Sequence, residues 1–261
     1  MKIYQIDTFT NKRFRGNAAA VCIGNNRLSE EVMQNISAEN NLSETAFVVR
    51  KGDVFEIRWF TPEVEVDLCG HATLAAAYVL HEYYDCKKEN ILFETQKSGE
   101  LSVYRQGDFF ELDFPSDNIR KSKLPENFLN TSHKVPNEVY KGKTDLMLVY
   151  SNEDQVKNFV PDLEILGSAG ARGVIITAPG NTVDFVSRFF APQVGIAEDS
   201  VTGSSHTTLI PFWSQRLSKN IMKAAQLSKR GGLIGCEFLG SRVKISGQAV
   251  TYSIGEIVSD E

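Results

Sequence analysis

The chain lacks the features that mark several common classes of protein. Its four cysteines lie far apart without CxxC spacing, so they suggest neither a zinc knuckle nor a disulfide framework. No apolar run approaches the roughly 20 residues that a membrane helix requires, and the N-terminal segment alternates like a strand instead of carrying a signal-peptide core. We therefore expect an intracellular protein in a reducing cytoplasm that does not bind membranes.

Basic residues are also too few for a nucleic-acid surface. The sequence has 28 Lys and Arg against 33 Asp and Glu, a formal net charge of -5, and a binding surface for nucleic acid would need the opposite balance. No P-loop, serine-hydrolase elbow or GxGxxG motif with a ribose-binding acid is present, and the glycine-bearing run from Ser168 to Gly173 opens a strand. Composition excludes nucleic acid as a partner and leaves small-molecule chemistry open.

The chain does contain an internal repeat. The segment from Arg58 to Val64 (RWFTPEV) is matched by the segment from Arg188 to Val194 (RFFAPQV), and each leads to a glycine that opens a helix. The order strand, helix, strand, strand, glycine-led helix also recurs, which favours an ancient duplication. At 261 residues the chain can hold two modest domains.

We expect an N-terminal half over residues 1–115, a polar and prolyl connection over 116–136 and a C-terminal half over 137–261, with an exchange of C-terminal strands between the halves as an open alternative. If the halves face each other about a pseudo-twofold axis, their two glycine-led helix N-termini converge on one cleft. Free backbone N–H groups and positive helix poles would favour a carboxylate there.

Three residues of the first half could carry chemistry. Glu44 lies where a loop enters a strand, although a solvated carboxylate at a strand end has the same position. His71 follows Gly70 at a helix start, where the dipole favours a neutral imidazole, or it only caps the helix. Cys69 could be a thiolate because a helix N-terminus depresses a thiol pKa, but Thr202 occupies its position in the repeat.

The second half offers three further candidates. Asp199 is either a functional acid or a dipole partner of the second glycine-led helix, and Ser204, one residue past Gly203, is the counterpart of His71. His206 is more typical of a packed, satisfied histidine than of a ligand. No His, Cys, Asp and Glu cluster has metal-ligand spacing along the sequence, so the chemistry available is proton transfer by a carboxylate and an imidazole.

Taken together, these residues resemble the phenazine-biosynthesis isomerase-like family, which shares the diaminopimelate epimerase fold. The matching segments, in family order, are Asp7–Thr10 with Gly16 and Asn17, Ser43–Phe47, Asp67–Thr73 and Glu198–His206. The resemblance implies an α+β fold of two similar halves, each a barrel-like mixed sheet around a central helix, with the active site between them. It also implies a homodimer and no metal or organic cofactor.

The family's residue roles transfer to this sequence as expectations. By resemblance, Glu44 shuttles a proton between carbons, His71 and Asp199 polarise or relay, and Ser204 helps to bind the substrate carboxylate. The expected binding positions are Gly70, Ala72, Gly203 and Ser204. Two places depart from the family: Ser200, where a proline is common, and the run Ala18–Ala20 after Gly16 and Asn17, where a proline often follows. Both affect loop rigidity or pocket shape.

The sequence therefore predicts a cofactor-independent isomerase of small unsaturated amino or hydroxy carboxylic acids. Glutamate is a weak base, so the mechanism requires that the Glu44 carboxylate be buried. Two alternatives remain: a non-catalytic small-acid binding protein, and an epimerase that uses Cys69 with a partner other than cysteine. Thr202 at the repeat position argues against a two-cysteine mechanism.

Overall fold

The computed structural model describes residues 1–126, 128 and 135–258. Within these ranges no helix combines the length and the apolar character needed to pass through a lipid bilayer. The expected connection over 116–136 falls in part outside the described residues, at 127 and 129–134.

Eighteen strands and five helices make up the described fold. The strands are β1 Lys2–Thr8, β2 Asn17–Gly24, β3 Glu44–Lys51, β4 Val54–Phe60, β5 Glu65–Val66, β6 Asn90–Glu94, β7 Glu100–Gln106, β8 Phe109–Pro115, β9 Arg120–Lys121, β10 Glu138–Lys141, β11 Asp145–Val149, β12 Gly173–Pro179, β13 Phe185–Ala191, β14 Ile196–Asp199, β15 Ile221–Gln226, β16 Gly232–Phe238, β17 Arg242–Gly247 and β18 Ala249–Glu256. The helices are α1 Glu30–Asn40, α2 Gly70–Tyr83, α3 Glu153–Lys157, α4 Leu163–Gly167 and α5 Gly203–Leu217.

The chain divides into two compact units. The first comprises Met1–Asp113 together with Ser246–Glu261, and the second comprises Phe114–Ile245. The last segment therefore lies with the first unit. The reason is strand pairing, because β18 runs antiparallel to β1 from Lys2↔Glu256 to Thr8↔Ala249.

Each unit builds its sheet by the same sequence of pairings. In the first, β1–β2 is antiparallel, β2–β3 parallel, β3–β4 antiparallel, β4–β6 parallel and β6–β7 antiparallel. In the second, β10–β11, β11–β12, β12–β13, β13–β15 and β15–β16 alternate in the same order. A shared pattern of five pairings is what a duplicated unit would retain.

The arginine of the repeated motif has the same role in both units. Arg58 donates from Nε to Glu65 Oε1 at 2.7 Å, and its guanidinium lies 5.1 Å from the centre of the Phe60 ring. Arg188 donates from Nε to Glu198 Oε1 at 2.6 Å and lies 5.0 Å from the Phe190 ring. The repeat is therefore a structural motif that ties a strand to the segment after it, and Glu198 belongs to this ion pair.

A short turn follows β13. A 3-10 turn over Pro192–Val194 ends at Gly195 (φ 80°), and β14 begins at Ile196, so Glu198 and Asp199 lie on a strand. The hydrogen-bonded register Phe189↔Asp199 aligns this strand with β13. The proline and the glycine thus form the turn, and cross-strand pairing places residues 198 and 199 on a strand.

Candidate active site

Glu44 is the first residue of β3, as the sequence predicts, and the preceding helix sets its position. Ser29 caps α1 by accepting a hydrogen bond from the Val32 N–H at 3.3 Å. Asn41 ends this helix in the left-handed region at φ 47°, a conformation that asparagine tolerates better than most residues. The chain then enters β3 beside β2, where Glu44 is paired with the small, fully buried Ala19.

The second component of the site is the N-terminus of α2. Gly70 and His71 are its first residues, and Cys69 is its N-cap with no side-chain capping bond. The helix packs against β1, β2 and β3. This close approach is possible because its inner face is built of alanine, including the fully buried Ala72 and Ala75.

Folding brings Glu44 and His71 together. Glu44 Oε2 lies 3.1 Å from His71 Nε2, and the two side chains are 15% and 8% exposed. The distance suits a hydrogen bond, but the angle does not, so both atoms are buried without a well-aligned partner. Buried polar atoms without partners are costly, and such atoms mark a place where a ligand or a transferred proton can be accommodated.

Cys69 completes a three-residue cluster, with its Sγ 3.5 Å from His71 Nδ1. Burial, reinforced by the Glu44 carboxylate, raises the pKa of the Cys69 thiol above its ordinary value of 9.0. The expectation that the helix terminus makes Cys69 a thiolate is therefore wrong, because loss of solvation outweighs the helix dipole.

The protonation of His71 also differs from the sequence prediction. Burial would lower the pKa of His71, but the Cys69 sulfur and the Glu44 carboxylate outweigh it and raise that pKa well above 6.5. These neighbours therefore favour the protonated imidazole, in contrast to the neutral form that the helix dipole alone predicts. The helix dipole carries only about half a charge at its terminus, whereas the carboxylate carries a full one.

Glu44, Cys69 and His71 also meet the distance requirement for a metal site. One ligand atom from each can be chosen so that all lie within 4.8 Å of one another, and this is the one such group in the described ranges. Their positions in the sequence did not reveal this set, because Glu44 comes from a strand and the other two from a helix start.

In the second unit, the counterpart of His71 contacts an arginine that sequence analysis did not select. Arg172 Nη2 donates to Ser204 Oγ at 3.0 Å, one residue past Gly203 at the start of α5. The guanidinium also binds Asp145 through two bonds, of 2.9 Å and 2.5 Å. Asp145 is 1% exposed and Arg172 is 37% exposed, so a buried acid holds a partly exposed guanidinium beside Ser204.

Asp199 is engaged with the start of α5. Its Oδ2 accepts a hydrogen bond from Thr202 Oγ1 at 2.6 Å, and the buried Gln226 accepts from the Thr202 N–H at 2.9 Å. His206 is fully buried, and because Thr202 O can only accept, His206 Nδ1 donates to it at 2.7 Å. Burial lowers the pKa of His206 to about 4, which agrees with the prediction of a packed histidine.

The two units are chemically different at equivalent positions. Thr45 pairs with Phe60 and Val174 with Phe190, so Glu44 and Gly173, one residue before, correspond. A side chain at Gly173 would collide with the Phe189 ring. Of these two equivalent positions, that of the first unit carries an acid, and Glu44 faces His71. In the second unit the acid beside Gly173 is Asp145, its cross-strand partner, which is paired with Arg172.

Comparison with known proteins assigns this architecture to a class. A phenazine biosynthesis protein of the PhzF family from Enterococcus faecalis superposes with a TM-score of 0.95 at 43% identity, covering 99% of each chain. A predicted epimerase from Pseudomonas aeruginosa shares the fold with a TM-score of 0.74 at 20% identity, covering 99% of each chain. The fold is the α+β diaminopimelate epimerase-like fold, as the sequence resemblance implies.

The chain belongs to the family described as phenazine biosynthesis-like protein, whose profile matches residues 6–255. An uncharacterized isomerase from Pseudomonas aeruginosa is 45% identical over 257 residues, with 98% of each chain covered. The chain is accordingly an isomerase of this family, and the sequence resemblance is confirmed.

Proposed function

We propose that this chain is a cofactor-independent isomerase that moves a proton between two carbons of a small unsaturated amino or hydroxy carboxylic acid. The observation that carries the proposal is the approach of Glu44 to His71, 3.1 Å, at the start of α2. A carboxylate and an imidazolium at this distance form an acceptor and a donor that can act on neighbouring atoms of one substrate.

In this proposal Glu44 removes the proton from one carbon and returns it to another. Negative charge then develops on the conjugated substrate while the proton is on the carboxyl group. The His71 imidazolium and the first backbone N–H groups of α2 would stabilise that charge, since donors fixed in advance need no reorganisation. Gly70 and Ala72 would bind the substrate through these same backbone N–H groups.

The pKa of Cys69 supports a carboxylate mechanism over a cysteine mechanism. Its raised pKa keeps the thiol protonated, and a protonated thiol is a poor base. Its counterpart at the start of α5 is Thr202, which also lacks a side-chain cap and has no thiol to offer. The proposal retains Asp199 as a relay, and Gly203 and Ser204 as binding positions for the substrate carboxylate.

The test is a screen of small unsaturated amino and hydroxy carboxylic acids in deuterated water, read by mass shift. For a substrate that gains deuterium, Glu44→Gln should reduce turnover by about 10²–10⁴-fold, the usual contribution of a positioned general base. Glu63→Gln is the matched control, because Glu63 is an exposed glutamate of the same unit and should leave turnover unchanged.

The outcomes separate the alternatives. Turnover by Glu44→Gln within tenfold of the unmodified chain would reject Glu44 as the base. Saturable binding of an acid with no deuterium uptake would identify a non-catalytic binding protein. Loss of activity in Cys69→Ser with Glu44→Gln unaffected would favour the thiol. The same variants can be followed by NMR, where Glu44→Gln should lower the pKa of His71 because its carboxylate partner is removed.

A further inference from the structure

We propose that Glu44, Cys69 and His71 form a binding site for a zinc ion, and that an ion bound there blocks proton transfer by Glu44. The blocking part of this inference rests on the proposed function, whereas the binding part does not. Thiolate sulfur, imidazole nitrogen and carboxylate oxygen are the three ligand types that zinc takes in proteins. The sulfur argues against the hard cations calcium and magnesium.

The geometry needs only a small adjustment. Ligand atoms around a tetrahedral zinc lie about 3.5 Å apart, given zinc–ligand distances of about 2.0–2.3 Å. Here Glu44 Oε2 lies 3.1 Å from His71 Nε2, and the set of three fits within 4.8 Å. A change in the side-chain torsions of His71 or Cys69 would bring the sulfur closer, and a fourth position would remain for water.

A second observation is independent of these distances. Glu44 Oε2 and His71 Nε2 are buried and have no well-aligned hydrogen-bond partner, so a metal would replace only the 3.1 Å contact of these two atoms with each other. His71 is 7% exposed. A ligand shared by the two atoms would satisfy both.

Charge also favours the ion. Zinc binding displaces two protons to solvent, one from the Cys69 thiol and one from the His71 imidazolium. The resulting thiolate and the Glu44 carboxylate together neutralise the two charges of zinc, with the neutral imidazole as third ligand. The positive pole of α2 opposes a cation, but it amounts to about half a charge, against two full negative charges. The buried site is thus close to neutral when occupied, which keeps the cost of burial low.

The experiment uses the full chain, freed of metal by a chelator and titrated with cobalt(II) as a spectroscopic substitute. We expect one cobalt per chain, with tetrahedral visible bands and a sulfur-to-cobalt charge-transfer band, both reversed by zinc. Cys69→Ser should remove the charge-transfer band and weaken binding by at least the roughly 10–100-fold that loss of an outer-sphere partner costs. Cys86→Ser is the matched control, because Cys86 is a partly exposed cysteine of the same unit outside the cluster.

A measurement on the unmodified chain covers the case in which Cys69→Ser fails to fold. X-ray absorption at the zinc edge should show one sulfur at about 2.3 Å and nitrogen or oxygen ligands at about 2.0–2.2 Å. A sulfur-free spectrum, an octahedral cobalt spectrum or the lack of stoichiometric binding would overturn the site.

Deuterium uptake separates this inference from the proposed function. Uptake by the metal-free chain that stops with one equivalent of zinc supports both. If one equivalent of zinc leaves deuterium uptake unchanged, zinc does not block proton transfer by Glu44, and the proposed function is unaffected. Cobalt binding as described, with no uptake at any metal content, supports the site and counts against the function.

Discussion

The fully buried His206 should make this protein lose stability as the solution becomes moderately acidic. Its ring contacts the Phe185 ring, with centres 6.0 Å apart, and its Nδ1 donates to Thr202 O at 2.7 Å. Its Nε2 is buried without a hydrogen-bond partner in the described part of the chain, so protonation would place an uncompensated charge inside the second unit. The imidazole therefore stays neutral in the folded state.

The size of the effect follows from the two pKa values. The folded-state pKa of His206 is about 4, against 6.5 for an unperturbed histidine. Below pH 6.5 the unfolded chain binds a proton at this residue that the folded chain does not, so the free energy of unfolding falls with falling pH. Each pKa unit corresponds to about 1.4 kcal/mol. His206 should therefore cost about 3 kcal/mol between pH 6.5 and pH 4.

The assay is urea unfolding at half-unit steps from pH 7 to pH 4, with His206→Asn as the test variant. Asparagine can keep a donor toward Thr202 O but does not titrate, so the slope of unfolding free energy against pH should flatten. Phe185→Leu is the control, because it loosens the packing around the ring and should retain the slope. Equal slopes in His206→Asn and the unmodified chain, or an NMR titration of His206 near pH 6.5, would refute the reasoning.

Two further predictions concern the second unit. Arg172→Met should destabilise the protein by about 3 kcal/mol, since it leaves the buried Asp145 without its partner. In urea unfolding, the double variant with Asp145→Asn should recover much of this loss. An Arg172→Met variant as stable as the unmodified chain would contradict the pairing. Gly173→Ala should lower the free energy of unfolding by about 1–3 kcal/mol because the new methyl group meets the Phe189 ring. The control Gly255→Ala, whose methyl group meets Ile3 at an ordinary 3.4 Å, should change the unfolding midpoint little. Equal midpoints for the two alanine variants would contradict the overpacking.

Local patterns sufficed for the features that depend on neighbouring residues. Glu44 begins a strand, as the β-rich run that follows it predicts, and Gly70 and Gly203 are the first residues of helices. The repeated arginine motif identified the duplication, although its function as an ion pair with Glu65 or Glu198 was visible only in the structure. The motif order along the chain also identified the family.

Electrostatic properties were predicted less well, because they depend on groups that are distant in sequence. The helix dipole alone predicts a thiolate at Cys69 and a neutral His71, and both predictions are wrong. Burial raises the pKa of Cys69, whereas Cys69 and the carboxylate of Glu44, which is 27 residues from His71 in sequence, raise the pKa of His71. No pattern within a single segment contains that information.

The sequence by itself determined the family, the duplicated order of strands and helices, and the residue types available for proton transfer. These properties follow from composition, periodicity and motifs that are continuous along the chain. Only the tertiary structure decided that Glu44, His71 and Cys69 form one cluster, that Arg172 links Asp145 to Ser204, and that the equivalent of Glu44 is Gly173. Strand register and burial produce these arrangements, and both arise from pairing between segments that the chain order leaves far apart.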